Sequence, residues 1–280
     1  MEIDEVFVAD RSERGKLRFS GEQAAWFLHQ VLTQAFEDIE PGDARAAALI
    51  TPHGRMTGYL DVVATESALR AHFEPELSKV LQETLERHVF ATRVVIEDVT
   101  ESFGLVLVVG GAWPSLVEGR GAVVHPTTTL GAPAAYLWTE PGSTEGLIER
   151  LVDAGVRRAD EAQLERIRIA HGAPRWGREM GPKTLPQEVG IDEVAVHYDK
   201  GCYLGQEAMA KIHFRGRVNR RLRRLRAAAG LVEGSDVTLG DERVGRVTSV
   251  ADGHALALLR ATVEPGAVVE AGAVEATVVE

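Results

Sequence analysis

The chain has 280 residues, of which 45% are hydrophobic and 26% charged, and its formal net charge is −11 at pH 7. These proportions are typical of a soluble globular protein, and the acidic balance argues against a general nucleic-acid binder. No apolar run approaches the roughly 18 residues of a membrane span, and the acidic start lacks the order of a signal peptide. One cysteine cannot form an internal disulfide, so we expect a cytoplasmic protein. We also expect a monomer that does not contact a membrane.

The first 110 residues alternate strands with helices. Residues 7–9 and 15–20 are predicted to form a hairpin, and Ser20 with Gln23 fits a capping box for a helix that reaches about residue 32. Pro75 is typical of the first turn of a second helix. Further strands are expected at 44–51, 56–65, 93–99 and 103–109.

The pattern then recurs. Residues 122–124 and 134–138 are strand-like, residues 144–154 form a helix, and Asp160 with Gln163 fits a capping box for another helix that stops at Gly172. We therefore predict an α+β fold of two related subdomains, divided near residue 110 and together spanning residues 1–221.

The last sixty residues lose helical periodicity. Short runs that alternate apolar and polar residues are separated by glycines, which is typical of a small β-barrel. We expect this barrel to occupy residues 222–280.

The only cysteine, Cys202, lies between Gly201 and Gly205 and follows Lys200 by two positions. A lone cytosolic cysteine is most often an inert, buried residue. Here the glycines allow close approach of a ligand, and a neighbouring cation such as Lys200 favours the thiolate that attacks electrophiles or binds metal. We interpret Cys202 as a working thiol with Lys200 beside it.

Seven arginines lie between residues 215 and 226. A run of charges is usually a solvated face, but in an acidic protein this run concentrates positive potential beside the thiol. Its natural complement is an anion, such as the glutamate tail of a folate, a phosphate or RNA.

The long Gly- and Pro-rich segment from 172 to 196 is expected to be an ordered functional loop. It contains Trp176, which we expect to line a pocket, and Glu188; Arg168 lies just before it. Taken alone, Arg168 and Glu188 are more typical of surface ion pairs.

Several common chemistries lack their motifs. There is no phosphate-binding P-loop, no zinc-protease helix, no nucleophile elbow and no dinucleotide fingerprint. One cysteine cannot build a cysteine-based zinc site or a self-contained iron–sulfur site.

The segment from Lys200 to Glu207, KGCYLGQE, resembles the signature of the YgfZ-type folate-binding proteins, within the superfamily of the glycine-cleavage T-protein. Residues 168–174 resemble the family's Arg-x-x-x-Gly-x-Pro, and residues 185–190 its Pro-x-Glu-x-Gly segment. Residues 49–60 resemble its glycine-containing hairpin, and the likeness extends over essentially the whole chain.

The resemblance implies two α+β subdomains and a β-barrel around a folate-sized channel, with binding of tetrahydrofolate or a derivative. It also implies support of iron–sulfur cluster assembly or repair in client enzymes, including tRNA-modifying ones, that depends on Cys202. A cluster would be transient and shared, because one thiol fills one ligand position. The residues that we assign to folate are Arg168, Trp176, Glu188, Gln206, Glu207, Arg215 and Arg217.

Two alternatives remain open. T-proteins carry an aspartate pair in the hairpin, where this chain has Gly58 and Tyr59, with Asp61 displaced. The missing pair argues against aminomethyl transfer and favours a protein without turnover, yet Asp61 could serve a one-carbon transferase or demethylase. The second alternative is an RNA-binding module, with a weak tRNA contact through residues 215–226.

Overall fold

The structure is a computed structural model that describes residues 5–117 and 123–279. Its strands are β1 (Phe7–Asp10), β2 (Gly15–Ser20), β3 (Ala44–Ile50), β4 (Met56–Ala64), β5 (Leu69–Phe73), β6 (Val95–Asp98), β7 (Gly104–Val109), β8 (Val123–Thr127), β9 (Ala134–Thr139), β10 (Arg157–Arg158), β11 (Arg220–Arg226), β12 (Asp236–Leu239), β13 (Glu242–Ala251), β14 (His254–Arg260), β15 (Val268–Ala271) and β16 (Val274–Val279). Its helices are α1 (Ala24–Val31), α2 (Ser78–His88), α3 (Trp113–Val117), α4 (Thr144–Asp153), α5 (Glu161–His171), α6 (Asp192–Ala195) and α7 (Gln206–Arg215).

Two five-stranded sheets and a barrel confirm the predicted α+β class. The first sheet has the order β3-β4-β5-β2-β6, and the second has the order β10-β1-β7-β9-β8. Strands β11 to β16 close the barrel in the order β11-β14-β13-β12-β15-β16. β11 begins at Arg220, and the divisions at residues 110 and 221 stay predictions.

The predicted hairpin of residues 7–9 and 15–20 is wrong. Phe7 pairs with Val109 in the second sheet, whereas Gly15 pairs with Phe73 in the first. The two strands are close in sequence, but each completes a different hydrophobic core.

The two predicted capping boxes have different outcomes. Asp160 accepts a hydrogen bond from the backbone N–H of Gln163 at 2.8 Å and caps α5, as expected. Ser20 instead ends β2, and α1 begins without a side-chain cap. The side chain of Gln23 accepts from the backbone N–H of Arg93, so it ties the helix start to the neighbouring segment.

The hydrophobic cores show how the layers meet. One core packs α1 and α2 against the first sheet, and another packs α4 against the outer face of the second sheet. A third joins the inner face of the second sheet to α5 and to Val63 of β4. The two sheets therefore face each other, and the barrel has a core of its own.

Candidate functional site

A cleft of about 680 Å³ opens between the two sheets. We call it the central cleft. Tyr59 and Asp61 of β4 form one wall, and His125 with the segment 126–129 forms the other. Arg45 and His197 are also part of its lining. Its volume lies within the range of about 300–1,000 Å³ that is typical of small-molecule sites.

Asp61 is the buried carboxylate of the central cleft. It is 2% exposed, and the Oγ1 of Thr129 lies 3.3 and 3.4 Å from its two carboxylate oxygens. Burial raises the pKa of Asp61 to about 6, although the Arg14 guanidinium and the Thr129 hydroxyl act in the opposite direction. A carboxyl group with such a pKa can exchange a proton near neutral pH.

Two buried histidines accompany Asp61. His72 pairs with Asp61 across β4 and β5, and its ring centroid lies 4.8 Å from that of His125. Burial lowers the pKa of both rings, that of His125 to about 3, so both are neutral at pH 7. Arg14 Nε donates to His72 Nδ1 at 3.0 Å, which leaves the proton of the neutral ring on Nε2.

These rings retain unused hydrogen-bonding capacity. Within the described part of the chain, neither His72 Nε2 nor His125 Nδ1 has a hydrogen-bond partner. Buried polar atoms are nearly always satisfied. Of the two rings, His125 lines the central cleft, so its unpaired Nδ1 points to a ligand or to ordered water there, whereas His72 lies behind the lining.

A second, smaller cavity of about 40 Å³ adjoins the central cleft. The two share Tyr59 and Thr129 as lining residues. Trp176 and Arg168, both assigned to folate from the sequence, line this smaller cavity. It extends the space between the sheets toward α5.

The guanidinium of Arg168 is fully engaged by the protein. It donates to both carboxylate oxygens of Glu165, and to Glu179, the carbonyl of Ala173 and the hydroxyl of Ser249, at 2.6–2.9 Å. These five bonds use all five donors of the side chain. Arg168 therefore joins α5 to the Glu179 loop and to β13 of the barrel, and it has no donor left for a folate.

Glu188 lies in a different place. It lines a third cavity, of about 320 Å³, beside residues 221–224. Its carboxylate accepts two hydrogen bonds from Arg220, at 2.9 and 3.2 Å, and one from the backbone N–H of Leu185. The Arg220 pair joins the loop to the first strand of the barrel.

Lys200 is buried, and its ammonium binds the end of α1. It donates to the carbonyls of His29, Leu32 (2.5 Å) and Gln34 (2.9 Å). Burial lowers the pKa of Lys200 to about 7, while three carbonyl acceptors match the three donors of the charged form. No donor remains to bind the thiol of Cys202.

Cys202 is exposed and lies outside the three cavities. Gln206 begins α7, and its amide donates to the carbonyl of Lys200 at 3.2 Å, while Glu207 and Arg217 are exposed to solvent. The side chain of Arg215 lies outside the described residues. Thus none of these three cavities is shared by Cys202, Arg168 and Glu188.

No metal site is evident around these residues. Across residues 5–117 and 123–279, no group of three or more His, Cys, Asp or Glu side chains is placed to hold a metal ion. Over the same ranges, no helix is both long and apolar enough to cross a bilayer.

The barrel matches a known domain family. Residues 219–279 match the C-terminal β-barrel domain of CAF17. The whole fold is similar to that of the glycine cleavage system aminomethyltransferase T from Bartonella henselae, with a TM-score of 0.86 and 16% identity over 99% of this chain and 85% of that one.

Three relatives cover most of the chain. A chloroplastic protein of Arabidopsis thaliana that is described as a transferase is 24% identical, over 89% of this chain and 62% of its own length. The tRNA-modifying protein YgfZ of Colwellia psychrerythraea is 22% identical, over 79% and 72%. A mitochondrial iron–sulfur cluster assembly factor IBA57 homolog of Phaeosphaeria nodorum is 26% identical, over 80% and 56%.

The chain is thus similar in sequence to YgfZ, to an IBA57 homolog and to the plant protein, and similar in fold to an aminomethyltransferase. It spans only 62% and 56% of the plant and fungal relatives, so those proteins contain further residues that have no counterpart in the match.

The main polar cluster of the chain was missed by the sequence analysis. Asp61 entered only as part of an alternative, and His72 and His125 were not selected. Strand register brings Asp61 beside His72, and the packing of one sheet on the other adds His125. The signal available in the sequence was three polar residues within otherwise apolar strands.

Proposed function

We propose that this chain binds tetrahydrofolate or a derivative in the central cleft, and that it thereby supports assembly or repair of iron–sulfur clusters in client enzymes, including tRNA-modifying ones. The described roles of the YgfZ and IBA57 relatives support this proposal. The observation that carries the folate part is a cleft of about 680 Å³ that is lined by a buried carboxylate and by a histidine with an unpaired ring nitrogen.

The cleft residues fit a folate. A pterin ring presents N–H donors and ring acceptors on one edge, which complement the carboxylate of Asp61 and the unpaired Nδ1 of His125. Arg45 contributes a guanidinium to the lining for the anionic glutamate, although it already donates to Asp38 and to the carbonyl of Ala35. When bound, tetrahydrofolate supplies a carrier for one-carbon groups.

In this proposal, the residues that were assigned to folate from the sequence are not the main contacts of the pterin. Trp176 and Arg168 lie next to the cleft, in the smaller cavity, and Arg168 supports the fold there. Glu188, Gln206, Glu207 and Arg217 are not part of the cleft lining. We therefore propose that the pterin contacts are at Asp61 and His125.

Folate binding is tested by calorimetric titration with 5-formyltetrahydrofolate. We expect saturable binding that is weakened at least tenfold in Asp61→Asn, because the amide loses an acceptor oxygen and the charge. Asp153→Asn, at an exposed position at the end of α4, is the control. Equal affinity of the Asp61→Asn variant and the wild type would place the ligand elsewhere.

The thiol remains part of the proposal because Cys202 is exposed. An exposed cysteine can meet a cluster carried by another protein, and its sulfur would supply one of the ligands while the partner supplies the others. Cells that lack the gene, complemented with Cys202→Ser, are expected to show low activity of iron–sulfur enzymes although the protein accumulates normally. Full recovery with the serine variant would exclude a role for the sulfur.

A one-carbon transferase or demethylase is the second candidate, and Asp61 is the observation that favours it. Its pKa of about 6 suits a group that exchanges protons close to bound folate. Turnover of a methylated amine with tetrahydrofolate, lost in Asp61→Asn, would support this candidate. Absence of turnover with every donor tried would favour the iron–sulfur role.

The expected compartment and oligomeric state are also proposals. The plant and fungal relatives are described as chloroplastic and mitochondrial. We propose a cytoplasmic monomer for this chain, which cell fractionation and light scattering can test.

A further inference from the structure

The exposed surface of α7 carries an aromatic cluster. The ring of Phe214 is 66% exposed, and its centroid lies 4.7 Å from that of His213 in an edge-to-face arrangement. His213 in turn stacks on Tyr198 at 3.7 Å with an interplanar angle of 22°. The stack holds Phe214 beside two other rings while it stays open to solvent.

Four exposed cations lie on α7, just after it, or on segments that adjoin it: Arg55, Lys183, Lys211 and Arg217. Lys211 lies three residues before Phe214, which places both on one face of α7. Arg217 follows the helix by two residues.

The other two cations lie against the same helix. A Cβ atom added at Gly54 would lie 3.4 Å from the Cβ of Ala208, so the turn that carries Arg55 contacts α7 one helical turn from Lys211. Arg55 donates to the carbonyl of Lys183, which brings the segment of Lys183 to this turn. These contacts make one surface, which we call the α7 surface.

None of these four cations has a carboxylate partner within ion-pairing distance among the residues described. Surface arginines elsewhere are largely paired, as Arg157 is with Glu5 and Arg243 with Asp236. Glu207 is exposed on the first turn of α7 but makes no ion pair with Lys211.

The arginine run itself contributes less than its composition suggests. Arg220 is paired with Glu188, and Arg223 lies 3.5 Å from Glu264. Arg224 donates to the carbonyl of Ala170 at the end of α5. Part of the run therefore joins the barrel to its neighbours, while Arg221 and Arg226 are exposed and have no ion pair among the residues described.

We propose that the α7 surface binds single-stranded RNA, such as the loop of a folded RNA. Unpaired cations around an exposed ring are the combination that holds single strands, since the cations contact phosphates and the ring stacks on a base. In a protein with a net charge of −11, the rest of the surface repels a polyanion and confines it to this patch. The inference is independent of the folate proposal, because the central cleft does not include α7.

Fluorescence anisotropy with a labelled single-stranded RNA of about 12 nucleotides tests the inference in the full chain. We expect Phe214→Ala to weaken binding roughly 5- to 100-fold without a change in salt dependence. Lys211→Ala and Arg217→Ala should each lower the slope of log affinity against log salt by about 0.7.

Two variants serve as controls. Phe90→Ala removes another ring, which is 88% exposed, and Arg150→Ala removes another exposed cation without an ion pair. Both should bind like the wild type. Thermal unfolding of every variant checks that these exposed changes leave the fold intact.

Three results would overturn the inference. The first is that the single-stranded RNA does not bind at about 50 mM salt, which would favour an acidic protein as the partner of this surface. The second is equal affinity for the single strand and for a duplex of the same length, with Phe214→Ala unchanged, which would mean general attraction of polyanions. The third is an equal loss of affinity in Phe90→Ala.

Discussion

Replacement of Asp61 by asparagine should stabilise the protein at neutral pH. The folded state raises the pKa of this carboxyl from 3.8 to about 6, chiefly through burial. Between these values the folded chain binds the proton more tightly than the unfolded chain does. The contribution of Asp61 to the free energy of unfolding therefore falls as pH rises from about 4 to about 6, and it stays level above that.

The size of the effect follows from the shift. About two pKa units correspond to about 3 kcal/mol at pH 7, since one unit is about 1.36 kcal/mol. Asparagine fits the same space and cannot ionise. At pH 7 the Asp61→Asn variant should thus be up to about 3 kcal/mol more stable, and at pH 4 the two proteins should be equal.

Thermal unfolding at several pH values between 4 and 8 measures this effect. The relevant quantity is the difference in melting temperature between wild type and variant, because other groups that titrate contribute equally to both. A difference of roughly 6–12 °C is expected at pH 7, with none for the exposed control Asp153→Asn. The reasoning would be refuted if the difference in melting temperature stayed constant from pH 4 to pH 7, or if the variant were less stable at pH 7. Either result would mean that the folded state stabilises the charged form of Asp61.

Three further predictions concern residues that support the site. Arg168→Ala should cost about 3–5 kcal/mol because it leaves a buried carboxylate uncompensated, whereas the exposed Arg166→Ala should change little; equal urea midpoints would contradict this. Lys200→Met should cost about 3 kcal/mol or more, since three carbonyls lose their donor; unchanged unfolding would mean that water replaces the ammonium. Gly205→Ala should lower the melting temperature, because φ is 81° and the new Cβ would overlap the β3–β4 turn, while Gly201→Ala meets open space; equal losses would refute the steric argument.

Local signals in the sequence were sufficient for much of the fold. The short alternating runs in the last sixty residues predicted the barrel, and Asp160 predicted the start of α5. Ser20 failed as a cap because strand pairing with Val95 extends β2 to that residue. A capping residue therefore sets the start of a helix only where its backbone is not hydrogen-bonded in a sheet.

The candidate site was harder to predict because its members meet only in three dimensions. Lys200 precedes the thiol in sequence, which suggested an activating cation, yet its ammonium reaches back to the carbonyls at the end of α1, near His29. Arg168 resembled a ligand-binding residue, but Glu179 and Ser249 occupy it from other elements. Neither partner can be identified from spacing along the chain.

The placement of β1 has a consequence for the order of assembly during synthesis. This strand is made before every strand of the first sheet, yet its neighbours are β7 and β10. At about 5–20 residues per second, β1 waits several seconds before β7 exists, and longer for β10. The first sheet needs nothing beyond β6, so it can form while β1 is still unpaired. A substitution in residues 7–10 that weakens strand pairing would then leave the first sheet intact and impair formation of the second sheet. The wall of the central cleft that the second sheet provides would be impaired as well.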